Sequence, residues 1–109
     1  MRLLKTHFEK IASGEKTVEM RLMDEKRQKI RVGDRIVFSC EEEPMRTLAV
    51  EVVGVLAFAD FCELSAHFGA RAVGFDGKSA DEVGAYMRTI YGDDALVRYG
   101  AAAIEVRLI

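Results

Sequence analysis

Three features of the sequence predict an α+β domain: a small, mostly antiparallel sheet that curls into a partly closed barrel flanked by short helices. Strand-like runs come in groups, in the order β-α-β, β, β, α, α, β, and not in strict alternation with helices. The longest run, residues 48–58, is interrupted by Gly54, and a glycine there marks a bulge or a barrel corner. The last run, residues 103–109, returns to the sheet at the end of the sequence. Regular βαβ units are missing, which sets a doubly wound parallel sheet aside.

Each element has a local reason. Thr6-x-x-Glu9 reads as a capping box opening a helix that carries Phe8, Ile11 and Ala12 on one face and stops at Gly14. Residues 17–22 alternate with period two, with Val18, Met20 and Leu22 on the inward face and Thr17, Glu19 and Arg21 on the other. A polar, basic connection over 23–29 leads to Gly33-Asp34, a tight turn into a short strand over 35–38. Pro44 sits in the turn before the long strand. Asp60 caps the next helix, whose buried stripe is Phe61, Leu64 and Phe68. Residues 69–78 are irregular and hold three glycines. Ser79 and Glu82 form a further capping box, and the helix behind it buries Val83, Met87 and Ile90. A short helical turn from Asp93 or Asp94 ends at Tyr99-Gly100, and the closing strand points Ile104, Val106 and Leu108 inward.

Composition sets bounds. With 109 residues the chain reads as a single domain, residues 1–109. Half of the residues are hydrophobic and 31% charged, the balance of a folded globular protein and not of a disordered one. Two cysteines, Cys40 and Cys62, are too few for a disulfide scaffold and lack the spacing of a zinc site. No apolar run has the length of a signal peptide's core or a membrane span. These readings describe a soluble, reduced, cytoplasmic protein with no membrane partner, and nothing in the sequence calls for a metal or another cofactor. The net charge of −2 hides an asymmetry: residues 1–39 carry ten Lys and Arg against six Asp and Glu, and the remaining 70 carry six against twelve. A basic segment in a mildly acidic chain fits a polyanion partner, and it also fits charges scattered over solvated faces.

The densest polar constellation is Gly14-Glu15-Lys16-Thr17-Val18-Glu19-Met20-Arg21. It sets an ammonium, a hydroxyl, a carboxylate and a guanidinium around a turn and one strand face, so Lys16, Glu19 and Arg21 should converge on one concave surface. Lys16 and Arg21 suit an anion, with Thr17 as a secondary contact, and two cations beside Glu19 keep its carboxylate ionised. The same residues also fit a solvated strand face with a surface ion pair. Lys26 and Arg27, in the run that continues through Lys29 and Arg31, are positioned to meet phosphates, with a solvated loop as the alternative. Tyr86, Tyr91 and Tyr99 are candidates for stacking on bases, and Tyr91 equally for packing a helix end. His7 and His67 read as structural histidines, and Cys62 as core. No G-x-G-x-x-G, P-loop, metal-ligand cluster or nucleophile elbow is present.

Gly14-x-Lys16-x-x-Glu19-x-Arg21 resembles the G-x-K-x-x-E-x-R signature of the ASCH domain family. The resemblance continues through Ile30–Phe38 and returns at Tyr99-Gly100 and Ala103–Val106. It implies a PUA-like β-barrel, a cleft lined by the signature, and binding of RNA or a nucleotide-like ligand through Lys16, Thr17, Glu19, Arg21, Lys26 and Arg27. It also implies an alternative, a small hydrolase acting on RNA or on a modified nucleoside. One branch of similar proteins removes the acetyl group of N4-acetylcytidine and is proposed to use a lysine, a threonine and a glutamate. Lys16 matches the lysine, Glu19 stands where that branch has the threonine, and Asp76 falls near the distant glutamate. The catalytic set implied on that reading is Lys16, Glu19 and Asp76.

Overall fold

The computed structural model describes residues 1–109 as five strands and four helices. The strands are β1 (Arg2–Leu3), β2 (Val18–Leu22), β3 (Arg35–Cys40), β4 (Thr47–Phe58) and β5 (Ala101–Leu108). The helices are α1 (Lys5–Ala12), α2 (Phe61–Phe68), α3 (Ala80–Tyr91) and α4 (Asp93–Tyr99), and Arg27–Lys29 form one 3-10 turn. The strands make one sheet in the order β1-β3-β4-β5-β2, curled into a half-barrel. Only the β1–β3 pair is parallel. The two ends of that order, β1 and β2, are edges, so the half-barrel has a seam between them. No helix is long and apolar enough to cross a membrane.

The predicted α+β half-barrel stands, with differences that have local causes. The bulge falls between Val52 and Gly54, where β4 bends. Asp60 accepts the Glu63 N–H at 2.8 Å, and Ser79 and Glu82 exchange both bonds of a capping box. Thr6, by contrast, caps nothing. Helix α1 begins at Lys5, and the carboxylate of Glu42 in the β3–β4 hairpin accepts the Lys5 N–H at 2.8 Å. A tertiary contact thus does the work assigned to a local cap.

Both faces of the sheet are buried around β5. On one side Val18, Met20, Ala101 and Ala103 pack under Phe61, Leu64, Val83 and Met87 of α2 and α3. On the other Ile104 and Val106 join Leu3, Phe38, Val50 and Val52, with Phe8 and Ile11 of α1 plugging the concavity. Ala12 faces solvent, and so does Leu108 in part, because β5 there extends past the plug. Ile90, expected in the core, is 53% exposed and lines a cavity instead.

Candidate functional site

Register places the site. β2 pairs antiparallel with β5, with Glu19 opposite Ile104 and Arg21 opposite Ala102. Paired residues share a side of the sheet, so Glu19 and Arg21 point to the plugged, concave side while Val18 and Met20 turn to α2 and α3. The alternative, a solvated strand face, is not what β2 presents. Glu19 is only 4% exposed, because β2 is covered on both sides.

Lys16 enters from the turn after α1 and is 3% exposed. Its ammonium donates to Glu19 Oε1 at 2.7 Å and to His7 Nδ1 at 2.9 Å. Arg21 Nε donates to Glu19 Oε2 at 2.7 Å. Its Nη2 reaches across the seam to the carbonyl of Arg2 in β1 at 2.8 Å. The carboxylate of Glu19 is therefore the hub of a chain that spans the open side of the half-barrel, from α1 through β2 to β1.

The electrostatics follow from burial and neighbours. Burial alone would raise the Glu19 carboxyl, but Lys16 and Arg21 outweigh it and hold it below the usual carboxylate range. Burial lowers the Lys16 ammonium from its ordinary value, against the pull of Glu19. Burial, together with the Lys16 charge, lowers His7 to about 4. At neutral pH the imidazole is uncharged.

Above this polar floor opens a cavity of about 380 Å³. Leu3 and Leu4 form one wall, and Phe75, Tyr86, Ile90 and Tyr91 form the other. Phe75 packs against both His7 and Tyr86, with centroids 5.1 and 5.5 Å apart. Ile90 and Tyr86, 43% exposed, stand at the mouth, which is why Ile90 is not core. Tyr91 stacks on Phe61 at 5.7 Å, which is the packing of a helix end expected of it, and it also lines the cavity. Gly74 backs Lys16 and His7. Its φ is +92°, and a Cβ there would stand 2.7 Å from Lys16 Cδ and 2.8 Å from His7 Nδ1. The Lys10 ammonium holds the Gly74 carbonyl at 2.8 Å.

Of the residues singled out in sequence, Lys16, Glu19 and Arg21 meet in this cavity. Thr17 does not: it precedes β2, is exposed, and lines a separate groove with Gly14 and Arg107. Asp76 is exposed, lies outside the cavity and pairs with Arg71 at 3.3 Å, so it does not complete a Lys16–Glu19 group. Arg27 pairs with Asp24 at 3.1 Å, and Lys26 is exposed without an ion-pair partner. Neither lines the cavity, although Arg21 and Arg27 both pull against the burial that raises the Tyr91 hydroxyl. Tyr99 faces away, its hydroxyl 3.4 Å from Glu25. Cys62 donates to Asp81 at 3.2 Å between α2 and α3, and His67 packs on Phe58 and Phe68. No group of three or more His, Cys, Asp or Glu is placed to hold a metal ion.

Two site residues escaped the sequence reading. His7 flanks the Phe8–Ile11 stripe three residues before Lys10, and both lean on Gly74. That i, i+3 polar pair beside an apolar stripe is the available signal. Phe75 lies in the irregular stretch 69–78, and an aromatic between Gly74 and Gly77 is its signal.

The family model of the ASCH domain matches residues 1–109. The chain belongs to the ASCH domain family. Two solved structures agree over the full length of this ASCH domain. The crystal structure of hypothetical protein PH0355 is 35% identical with a TM-score of 0.88, covering 100% of this chain and 96% of its own. The solution structure of protein PF0455 from Pyrococcus furiosus is 30% identical with a TM-score of 0.72, covering 100% and 98%. No curated protein matches the chain.

Proposed function

We propose that this ASCH domain binds single-stranded RNA by drawing one unstacked base into the seam cavity. The observation that carries the reading is the pairing of an aromatic wall, Phe75, Tyr86 and Tyr91, with a polar floor on which Lys16 and Arg21 flank Glu19. Stacking on aromatic faces and polar contacts to base edges are how single-stranded RNA is held. Lys16 supplies the central donor: an ammonium has three N–H groups, and only two have protein acceptors. Lys26, Lys29 and Arg31 on the 23–31 connection are exposed and would follow the phosphates outside the cavity. RNA binding is also the role associated with the ASCH family.

The hydrolytic reading draws less support from the geometry. No Ser, Thr or Cys lines the cavity, and Thr17 and Asp76 lie outside it. A carboxylate clamped between two cations is a weak base, which disfavours Glu19 as the group that activates water.

The test is fluorescence anisotropy with labelled hexaribonucleotides on wild type and Tyr86→Ala. Tyr86 stands at the mouth, so its removal spares the core. Loss of one stacking face should weaken binding by about 1–3 kcal/mol, roughly five- to a hundredfold. Equal affinities for wild type and Tyr86→Ala, or no binding by wild type, would overturn the reading.

A further inference from the structure

Within the cavity, one polar group has no assigned task. His7 is half-buried at the floor, and its only hydrogen bond is through Nδ1 to the Lys16 ammonium at 2.9 Å. An ammonium can only donate, so Nδ1 is the acceptor and the ring proton sits on Nε2. No protein group accepts from Nε2. The ring is also held in place: Phe75 packs on it with centroids 5.1 Å apart, and the Gly74 backbone abuts its Nδ1 edge. A fixed ring with a fixed tautomer and a free donor is suited to discrimination, because a wrong partner that displaces water from the donor leaves it unpaired.

We infer that His7 is a specificity-determining residue of the cavity: pinned through Nδ1 by Lys16, it offers Nε2–H to an in-plane acceptor, a ring nitrogen or a carbonyl oxygen, of the bound base. Lys16 supports this selection with its own remaining N–H, so the floor presents two donors side by side. A base edge that offers acceptors here is favoured over one that offers an N–H. The inference rests on the base-binding reading above and adds to it which atom of the protein reads the base.

Asparagine and glutamine separate the two nitrogens. In His7→Asn the side-chain oxygen takes the place of Nδ1 and still accepts from Lys16, but nothing replaces Nε2–H. In His7→Gln the amide N–H stands near the Nε2 position and restores the donor. The probes are the four ribonucleoside 5′-monophosphates, their deaza analogues lacking one ring acceptor, and their thio analogues with a weakened carbonyl acceptor. Calorimetric titration of wild type, His7→Asn and His7→Gln should show three things. Wild type prefers one parent nucleotide over one of its analogues by about fivefold. His7→Asn loses that preference, binding the parent about fivefold more weakly and the analogue unchanged. His7→Gln regains part of the preference. Comparing two ligands on one protein removes any effect of the substitution on folding. Wild type and His7→Asn showing the same preferences would overturn the role of His7 while leaving base binding intact. Wild type binding none of the nucleotides would overturn the base-binding reading itself, and this inference with it.

Discussion

Replacing Glu19 by Gln removes the one carboxylate between two cations while keeping the shape of the side chain. Arg21 is partly exposed and can turn to solvent, but Lys16 cannot, since only 3% of it is accessible. Removing one partner of a buried pair costs about 3–5 kcal/mol, and the freedom of Arg21 points to the lower end. Against a total stability of ~5–15 kcal/mol, a loss of ~3 kcal/mol is large. At ~4–8 °C per kcal/mol for a domain near this size, Tm should fall by at least ~10 °C. The mechanism makes two further demands. Lys16→Met in the Glu19→Gln background should restore part of the loss, giving a coupling well above the ~0.5 kcal/mol of independent sites. Raising the pH should also shrink the cost of Glu19→Gln, because burial already lowers the Lys16 ammonium and an unpaired lysine can escape by losing its proton. The assay is thermal unfolding of the four proteins in the cycle at neutral and alkaline pH. A Glu19→Gln protein within ~1 kcal/mol of wild type, or a double variant whose loss is the sum of the singles, would mean that Glu19 does not neutralise a buried Lys16.

Gly74→Ala should both destabilise the fold and weaken nucleotide binding: a φ of +92° is unfavourable for alanine, and its Cβ would push on Lys16 and His7. Unfolding and titration together check this, and an unaltered cavity would show as wild-type affinity. Acid should destabilise the domain between pH 6.5 and about 4, because unfolded His7 binds a proton in that window and folded His7 does not. The loss is on the order of 2 kcal/mol after allowance for partial exposure, and it should be absent from a denaturation series on His7→Phe. RNA affinity should fall with salt at a slope set by ~3–5 phosphate contacts on the basic connection, and Lys26→Ala should make that slope shallower by about one contact. An affinity indifferent to salt would mean that base recognition alone holds the ligand.

The fold was legible because its signals are local. The Asp60 and Ser79 caps, the Gly54 interruption and the period-two run of 18–22 each report on neighbours within a few residues. Thr6 shows the limit, since the bond that starts α1 comes from Glu42 in a hairpin far along the sequence. The site was half legible. Lys16, Glu19 and Arg21 sit within one turn and one strand, so their convergence is a matter of spacing. Whether that strand face is solvated depends on β1 and α1 closing over it, which period-two alternation does not encode. His7, Phe75 and Tyr86 reach the cavity from three separate segments. Asp76 fails for the same reason in reverse, since its place is decided by the course of the 69–78 loop and its pairing with Arg71.

Entry of the ligand into the seam between β1 and β2 can be followed by recording amide and aromatic NMR spectra of the protein while titrating a short single-stranded oligoribonucleotide. The largest shifts should fall on His7, Lys16, Arg21, Phe75, Tyr86 and Tyr91, with smaller ones over residues 26–31. Shifts confined to the 26–31 connection or to the outer strands, with His7 and the cavity aromatics unmoved at saturation, would contradict it.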